Sequence, residues 1–306
     1  MTHPGGEGEF IDWLRARISG HPRVSIGPGD DAAALDFPLP SRCLVTTDML
    51  LDGACFRLDE ASPYRVGRKA IAVSLSDIAA MAGKPLACVV SVGLPRKGGM
   101  EIAQELFHGM EDIAREFDTA IIGGDTNTWH GPLAISVTML GEATDRGPVP
   151  RSGAKSGDWI FVTGPLGGSI LGHHLDFTPR VREALALHRV ADLHAMTDIS
   201  DGFALDLSHI LRESHCGAAI RAGKIPISDA ARKLGDGHLA LDHALSDGED
   251  FELIFTVAPE EGQQLIKKSP VPVFHVGECV DQGLWIQDGD VRRRLAATGY
   301  EHKFES

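Results

Sequence analysis

The chain has 306 residues, 43% hydrophobic and 24% charged, with 35 glycines and 17 prolines. That size and balance suit two packed domains with many tight connections, and they exclude a fibrous, low-complexity or disordered chain. The formal net charge of -14 excludes a general nucleic-acid surface, which would need clustered Lys and Arg to displace counterions.

Near the N-terminus, Phe10, Ile11, Leu14 and Ile18 fall at helical spacing, so an amphipathic helix is predicted over 9–18. Ile26-Gly27-Pro28-Gly29-Asp30-Asp31 then forms a glycine-rich loop. Cys43 to Thr47 reads as a buried strand ending at Asp48. A helix apolar nearly all round follows over Pro63 to Met81. Next come a strand over Leu86 to Leu94, a helix over Gly99 to Phe117, and strands at Ala120 to Gly123 and Leu133 to Leu140. The breaker-rich run Asp145 to Gly153 marks a domain boundary, giving domains 1–147 and 148–306.

Beyond the boundary the mixed pattern restarts. Strands are predicted at Trp159 to Thr163, Ala195 to Ile199, Phe251 to Val257, Pro272 to Val276 and Leu284 to Gln287. Helices are predicted at Gly167 to Leu175, Pro179 to Arg189 and Gly202 to Ser214. The order of elements implies an α/β (α+β) chain rather than a helical bundle or a β-sandwich. Arg292 to Arg294, beside Asp288 and Asp290, reads as a solvated strand or turn.

Five widely spaced cysteines without a Cys-x-x-Cys pair point to reduced thiols. Met1 to Gly8 lacks the apolar core of a secretory leader, and no apolar run reaches the roughly 18 residues of a spanning helix. A cytoplasmic protein with no nucleic-acid or membrane partner is therefore expected.

Asp77 is the most informative single residue. Ala70, Val73 and Met81 lie seven and four before it and four after, which places a carboxylate on an apolar stripe. A buried carboxylate must be neutralised, paired or metal-bound, so both a ligand and a structural partner remain open. The other carboxylates have local alternatives. Asp30 and Asp31 also suit a turn or a cap, and Asp48 after Thr46 and Thr47 suits a hard-cation site or a turn. Gly123-Gly124-Asp125-Thr126 permits close approach of a phosphate or a plain strand-to-loop turn. Asp198-Ile199-Ser200-Asp201-Gly202 ends a strand and opens a helix, so one of its side chains is expected to cap that helix.

Taken together, carboxylates converging at about 4 Å would repel by roughly 4 kcal/mol per pair at an effective dielectric of 20, which calls for divalent ions. Oxygen donors without Cys or His clustering favour Mg²⁺ over Zn²⁺. Gly153-Ala154-Lys155-Ser156-Gly157 fails the P-loop spacing, and neither a protein-kinase catalytic loop nor a hydrolase serine elbow is present. Metal ions would then carry most of any phosphate charge, with Arg151 the best side-chain clamp.

The ordered motifs resemble those of the thiamine-monophosphate kinase family, within the aminoimidazole ribonucleotide synthetase superfamily. In the first half they are Gly29-Asp30-Asp31-Ala32-Ala33, Thr46-Thr47-Asp48-Met49-Leu50, Lys69 to Val73, Leu75 to Met81 and Gly123-Gly124-Asp125-Thr126. The second half adds Arg151-Ser152-Gly153-Ala154, Asp198 to Gly202, Gly248 to Leu253 and Gly299-Tyr300-Glu301-His302.

The resemblance implies a two-domain fold. Its N-terminal α/β domain would bind metal and nucleotide and pair across a homodimer into a β-barrel. Its C-terminal domain would be α+β, and the active site would lie in a cleft lined by both. It implies a direct in-line transfer in which ATP and thiamine monophosphate give thiamine diphosphate and ADP, the last step of thiamine diphosphate biosynthesis. Asp31, Thr46, Thr47, Asp48, Asp77, Asp125, Asp198 and Asp201 match Mg²⁺ ligands. Gly124, Asp125, Arg151 and Ser200 match contacts of the co-substrate ATP, and Phe107 matches an aromatic beside the nucleotide. Glu249 and Tyr300 match substrate contacts, with Cys55 at a substrate-facing position. Asp31, Asp77, Asp125, Arg151 and Asp198 would carry the catalytic role.

Such a reaction needs no general base, because a phosphate monoester is largely ionised at neutral pH. The chain departs from the family pattern at three places. Cys55 replaces a histidine, Ser74 replaces an Asn before Leu75-Ser76-Asp77, and Asp247 replaces the first of two glycines before Glu249. Two competing readings are a related ATP-dependent enzyme acting on another phosphorylated metabolite and a catalytically silent nucleotide-binding module.

Overall fold

The computed structural model describes residues 42–300 continuously, together with Trp13, Ala16, Arg17, Pro22, 24–26 and 34–35. The helix predicted over 9–18 and the Asp30-Asp31 loop lie largely or wholly outside the described residues. The chain divides into two compact units, Met1–Ile78 with Lys84–Asp145, and Ala79–Gly83 with Arg146–Ser306.

In the first unit, β1 (Val24–Ile26) and β2 (Ala34–Leu35) form a small antiparallel pair. The main sheet contains β3 (Cys43–Leu51), β4 (Gly83–Pro95), β5 (Ala120–Trp129) and β6 (Ala134–Ala143), in the order β3-β6-β4-β5. β3 runs antiparallel to β6 and β4 parallel to β5, so the sheet is mixed. It is also open, ending at β3 and β5. Among the continuously described residues, α1 (Pro63–Ala80) and α2 (Gly99–Glu116) accompany it. They touch backbone to backbone: a Cβ on Gly67 would run into the Leu106 carbonyl, and one on Gly109 into the Tyr64 carbonyl.

β3 is neither buried nor finished at Asp48. Its side chains alternate, with Thr46, Asp48 and Leu50 on the more buried face and Val45, Thr47 and Met49 on the exposed one. Period-two geometry imposes this, and the second face stays uncovered, with Val45 and Met49 65% and 67% exposed. β5 also runs past its glycines, so Gly123 to Thr126 are strand rather than loop. Gly124 is paired beside Val90, whose carbonyl leaves no room for a Cβ, so the glycine permits the strand instead of ending it.

The second unit is a seven-stranded mixed sheet built from β7 (Trp159–Val162), β8 (Ala195–Asp198), β9 (Gly217–Arg221), β10 (Leu253–Val257), β11 (Phe274–Val280), β12 (Leu284–Asp288) and β13 (Val291–Arg294). Their order is β13-β12-β9-β11-β7-β10-β8, antiparallel except for the β12/β9 pair. Its longer helices are α3 (Val181–Val190), α4 (Phe203–Glu213), α5 (Ala240–Ser246) and α6 (Pro259–Lys268), with a short helical segment at Asp229–Lys233 before α5. Ile160, Val162, Phe203, Leu207, Ile254 and Val276 are fully buried and join sheet to helix in one apolar core.

The helix predicted over Gly167 to Leu175 is instead a 3₁₀ turn at Ser169–Leu171 followed by a single turn at His173–Asp176. Gly167, Gly168 and Gly172 hold φ of 86°, 74° and 120°, which no right-handed helix accommodates. β9 is not among the predicted strands, because its Gly-Ala-Ala-Ile-Arg run has little β-branched signal. The architecture is a two-unit α+β fold with mixed sheets. Among the described residues no helix is long and apolar enough to cross a membrane.

Candidate active site

The first unit sets strand against helix. The alternation of β3 points Thr46 and Asp48 toward α1, where Ser74 and Asp77 stand three residues apart and so share a face. The Ser74 hydroxyl donates to Asp48 Oδ2 at 2.5 Å, and the Thr46 hydroxyl makes a very short contact to Asp77 Oδ2. The two carboxylates are thereby held near enough for the charge of Asp77 to act on Asp48. Burial, and after it the charge of Asp77, push the Asp48 carboxyl up to about 6, with the Ser74 hydroxyl partly offsetting both. Asp77 is half-buried rather than fully buried, because the apolar stripe of α1 opens toward the Thr46 side of the strand.

An all-oxygen set of two carboxylates and two hydroxyls, with one carboxyl displaced toward protonation, fits a hard cation such as Mg²⁺. Among the described residues no cluster of three or more His, Cys, Asp or Glu side chains is arranged to hold a metal ion. Asp31 lies outside the described residues. Thr47 faces the opposite side of β3, where its hydroxyl meets that of Thr138 at 3.1 Å, so its side chain does not join Thr46 and Asp48. Asp125 is exposed on the edge strand β5, opposite Ser91, next to Gly124. Phe107 is buried in α2 with its ring edge-on to Trp13, centroids 5.4 Å apart.

Cys55 lies in a tight turn after β3, where its N–H donates to the Leu51 carbonyl at 2.9 Å. Lys69, only 1% exposed, donates its ammonium to the Cys55 carbonyl at 2.7 Å. A charged group is retained inside α1 to fix the backbone of that turn, a role sequence reading did not assign. A lysine inside the apolar run Lys69 to Val73 was the available signal.

The second unit gathers Ser200, Asp201, Glu249 and Tyr300 through backbone bonds. Asp198 ends β8 and is buried, and the chain turns there toward α4. The Glu249 N–H donates to the Ser200 carbonyl at 2.8 Å, and the Tyr300 N–H donates to the Asp201 carbonyl at 2.9 Å. Gly299 allows this, since a Cβ there would strike the Asp201 carbonyl. Arg151 donates through Nε to the buried Thr197 hydroxyl at 3.2 Å, on the strand that leads to Asp198.

The expected cap from Asp198, Ser200 or Asp201 is not made. Asp206, in the first turn of α4, accepts instead from the N–H groups of Asp201 and Gly202, both at 3.0 Å. A carboxylate turning back from the first turn thus satisfies two N–H groups at the helix start without the signature's own carboxylates. Burial pushes Asp206 up to about 7, with the charge of Asp201 next, while the two N–H groups and Arg151 lower it.

Two family models match the chain in sequence order. They are the AIR synthase related protein N-terminal domain over residues 29–143 and the C-terminal domain over residues 154–285. The thiamine-monophosphate kinase of Rhodopirellula baltica is 44% identical over 310 residues, spanning 97% of this chain and 95% of that protein. The crystal structure of thiamine-monophosphate kinase from Stenotrophomonas maltophilia K279a superposes with a TM-score of 0.79 at 34% identity, over 92% of this chain and 96% of that one. The structure of AaThiL complexed with AMPPCP and TMP superposes with a TM-score of 0.76 at 25% identity, over 99% of both chains. The chain thus belongs to the thiamine-monophosphate kinase family and is built from the two AIR synthase related domains.

Proposed function

We infer that this chain transfers the γ-phosphoryl group of ATP to thiamine monophosphate, giving thiamine diphosphate and ADP. The neighbouring carboxylates Asp48 and Asp77, each bonded to a hydroxyl, carry this reading. The similarity to thiamine-monophosphate kinases along almost the whole chain supports it.

Asp48, Asp77 and Thr46 would hold Mg²⁺ in the first unit, joined by Asp31, the Thr47 carbonyl and Asp125, with Asp198 and Asp201 as ligands in the second. Bound Mg²⁺ would neutralise phosphate charge so that two anions can approach. Gly124, Asp125, Arg151 and Ser200 would bind the nucleotide, the Arg151 guanidinium meeting phosphate oxygens as a planar fork. Burial of Phe107 against Trp13 favours a packing role over a nucleotide contact.

Tyr300, 52% exposed, would stack on the heteroaromatic ring of the acceptor, and Glu249 would accept from its amine. Cys55 would face the substrate without supplying a positive charge. The acceptor monoester oxygen is already ionised, so the chain needs to align rather than deprotonate it.

The domains are read as 1–147, binding metal and nucleotide and dimerising, and 148–306. The uncovered apolar face of the four-stranded sheet, with Val45 and Met49 exposed, favours a homodimer closed into a barrel through that face. A cytoplasmic location fits the substrates. Purified protein incubated with ATP, Mg²⁺ and thiamine monophosphate should yield thiamine diphosphate by chromatography. ATP binding without that product would favour a silent module.

A further inference from the structure

The loop that carries Glu249 has an unusual backbone. Gly248, Glu249 and Phe251 all have positive φ, of 74°, 54° and 50°, although two of the three have side chains. Such a conformation persists only where its surroundings fix it. The N–H groups of Glu249 and Phe251 donate to the carbonyls of Ser200 and Ile199, each at 2.8 Å. The glycine turn at 167–169 closes the other side. Gly167 N–H donates to Asp250 Oδ1 at 2.8 Å, Gly168 N–H to Asp247 Oδ2 at 2.8 Å, and the Ser169 hydroxyl to the Gly248 carbonyl at 2.7 Å.

Asp247 is the member of this set that also reaches back to α5. Its carboxylate also meets His243 Nδ1 at 2.9 Å and 3.1 Å, one turn back on α5, and His243 Nε2 meets Asp236 at 3.1 Å. A neutral imidazole has one N–H and could satisfy only one of these carboxylates. Donation to both carboxylates at once requires the imidazolium form, which these two contacts favour.

His238 approaches His243 edge-on, with ring centroids 5.9 Å apart. From the helical segments packed against α5, Asp206 and His209 on one and Asp229, Arg232 and Lys233 on the other make no hydrogen bond or ion pair with the His243 ring among the described residues. The His243 imidazole is raised above its ordinary value, chiefly by its hydrogen bond to Asp247.

We propose that Asp247, braced by His243, is a positioning residue of this chain that clamps the 167–169 turn to the 247–251 loop and so holds Glu249 in its left-handed conformation for the acceptor. This rests on the reading of Glu249 as a substrate contact. A glycine at 247 offers no carboxylate to Gly168 or His243, so the loop would keep only the Gly167–Asp250 and Ser169–Gly248 bonds and its backbone bonds to Ile199 and Ser200.

The test pairs hydrogen exchange on the substrate-free full chain with steady-state kinetics for Asp247→Gly, Asp247→Asn and His243→Gln. In Asp247→Gly the amides of Glu249 and Phe251 should exchange faster. KM for thiamine monophosphate should rise roughly tenfold, with kcat and KM for ATP within about twofold, the pattern of lost uniform binding. Asp247→Asn keeps an acceptor for Gly168 and should restore most of both readouts, and His243→Gln should fall between. If Asp247→Gly does not fold, His243→Gln decides. Exchange and KM unchanged in folded variants would overturn the clamp. A wild type that forms no thiamine diphosphate would overturn the functional reading, while the exchange measurement would still decide the clamp.

Discussion

The backbone N–H of Tyr300 donates to the carbonyl of Asp201 at 2.9 Å, so the end of the described chain is tied to the strand-to-helix turn that carries the second unit's carboxylates. The bond fixes the Tyr300 backbone while leaving the ring half exposed. Tyr300→Ala is expected to raise KM for thiamine monophosphate about three- to tenfold, equivalent to ~0.5–1.5 kcal/mol for one aromatic contact. Tyr300→Phe should stay near wild type, and KM for ATP should not move. Steady-state kinetics with each substrate varied in turn would show it.

Asp77→Asn separates chemistry from stability. Removing one charge of the pair relieves the repulsion that helps hold Asp48 up near 6, so the metal-free variant should melt no lower than wild type at neutral pH. Turnover should fall at least about a hundredfold, the order seen when one preorganised charge-stabilising group is lost. Melting curves without metal and assays with Mg²⁺ give the two readouts, and near-normal turnover would refute the metal role.

The Glu252 carboxylate is 2% exposed and receives Arg180 through two nitrogens, at 2.8 Å and 2.5 Å, with the Thr163 hydroxyl at 2.6 Å. Arg180→Ala leaves that carboxylate buried with only the hydroxyl. A loss of about 3–5 kcal/mol is expected in urea unfolding, because the remaining charge keeps its desolvation cost without its partner. Adding Glu252→Gln to that variant should recover part of the loss.

His275 stacks on Trp159 with centroids 4.1 Å apart and on Phe161 at 5.0 Å. Burial, then the nearby Arg221, push its imidazole down to about 4 from 6.5. The folded state therefore binds fewer protons than the unfolded chain between those values. This contribution to stability is complete above pH 6.5 and is lost as pH falls toward 4. His275→Phe should flatten the fall in melting temperature across that window, and an unchanged slope would contradict the assignment.

Much of the fold was legible, because periodicity marks α1, α2, α4 and most strands. The position of Asp77 was legible too, since a carboxylate on an apolar helical stripe is anomalous wherever the helix packs. What escaped depended on neighbours distant in sequence. Gly124 read as a break, but it is strand because β4 approaches too closely for any side chain. Asp206 takes the cap expected of the residues before α4, and sequence alone does not reveal a carboxylate folding back on its own first turn. Glu249 meets Ser200 through a backbone conformation that its residue type disfavours, so no local signal announces the contact.

The most direct measurement follows the phosphoryl group itself. With ATP labelled at its γ-phosphate, Mg²⁺ and thiamine monophosphate, the wild-type chain should place the label in the terminal phosphate of thiamine diphosphate, dependent on Mg²⁺ and nearly abolished in Asp77→Asn. Label appearing only as inorganic phosphate, or remaining in ATP while ATP is bound, would contradict the account.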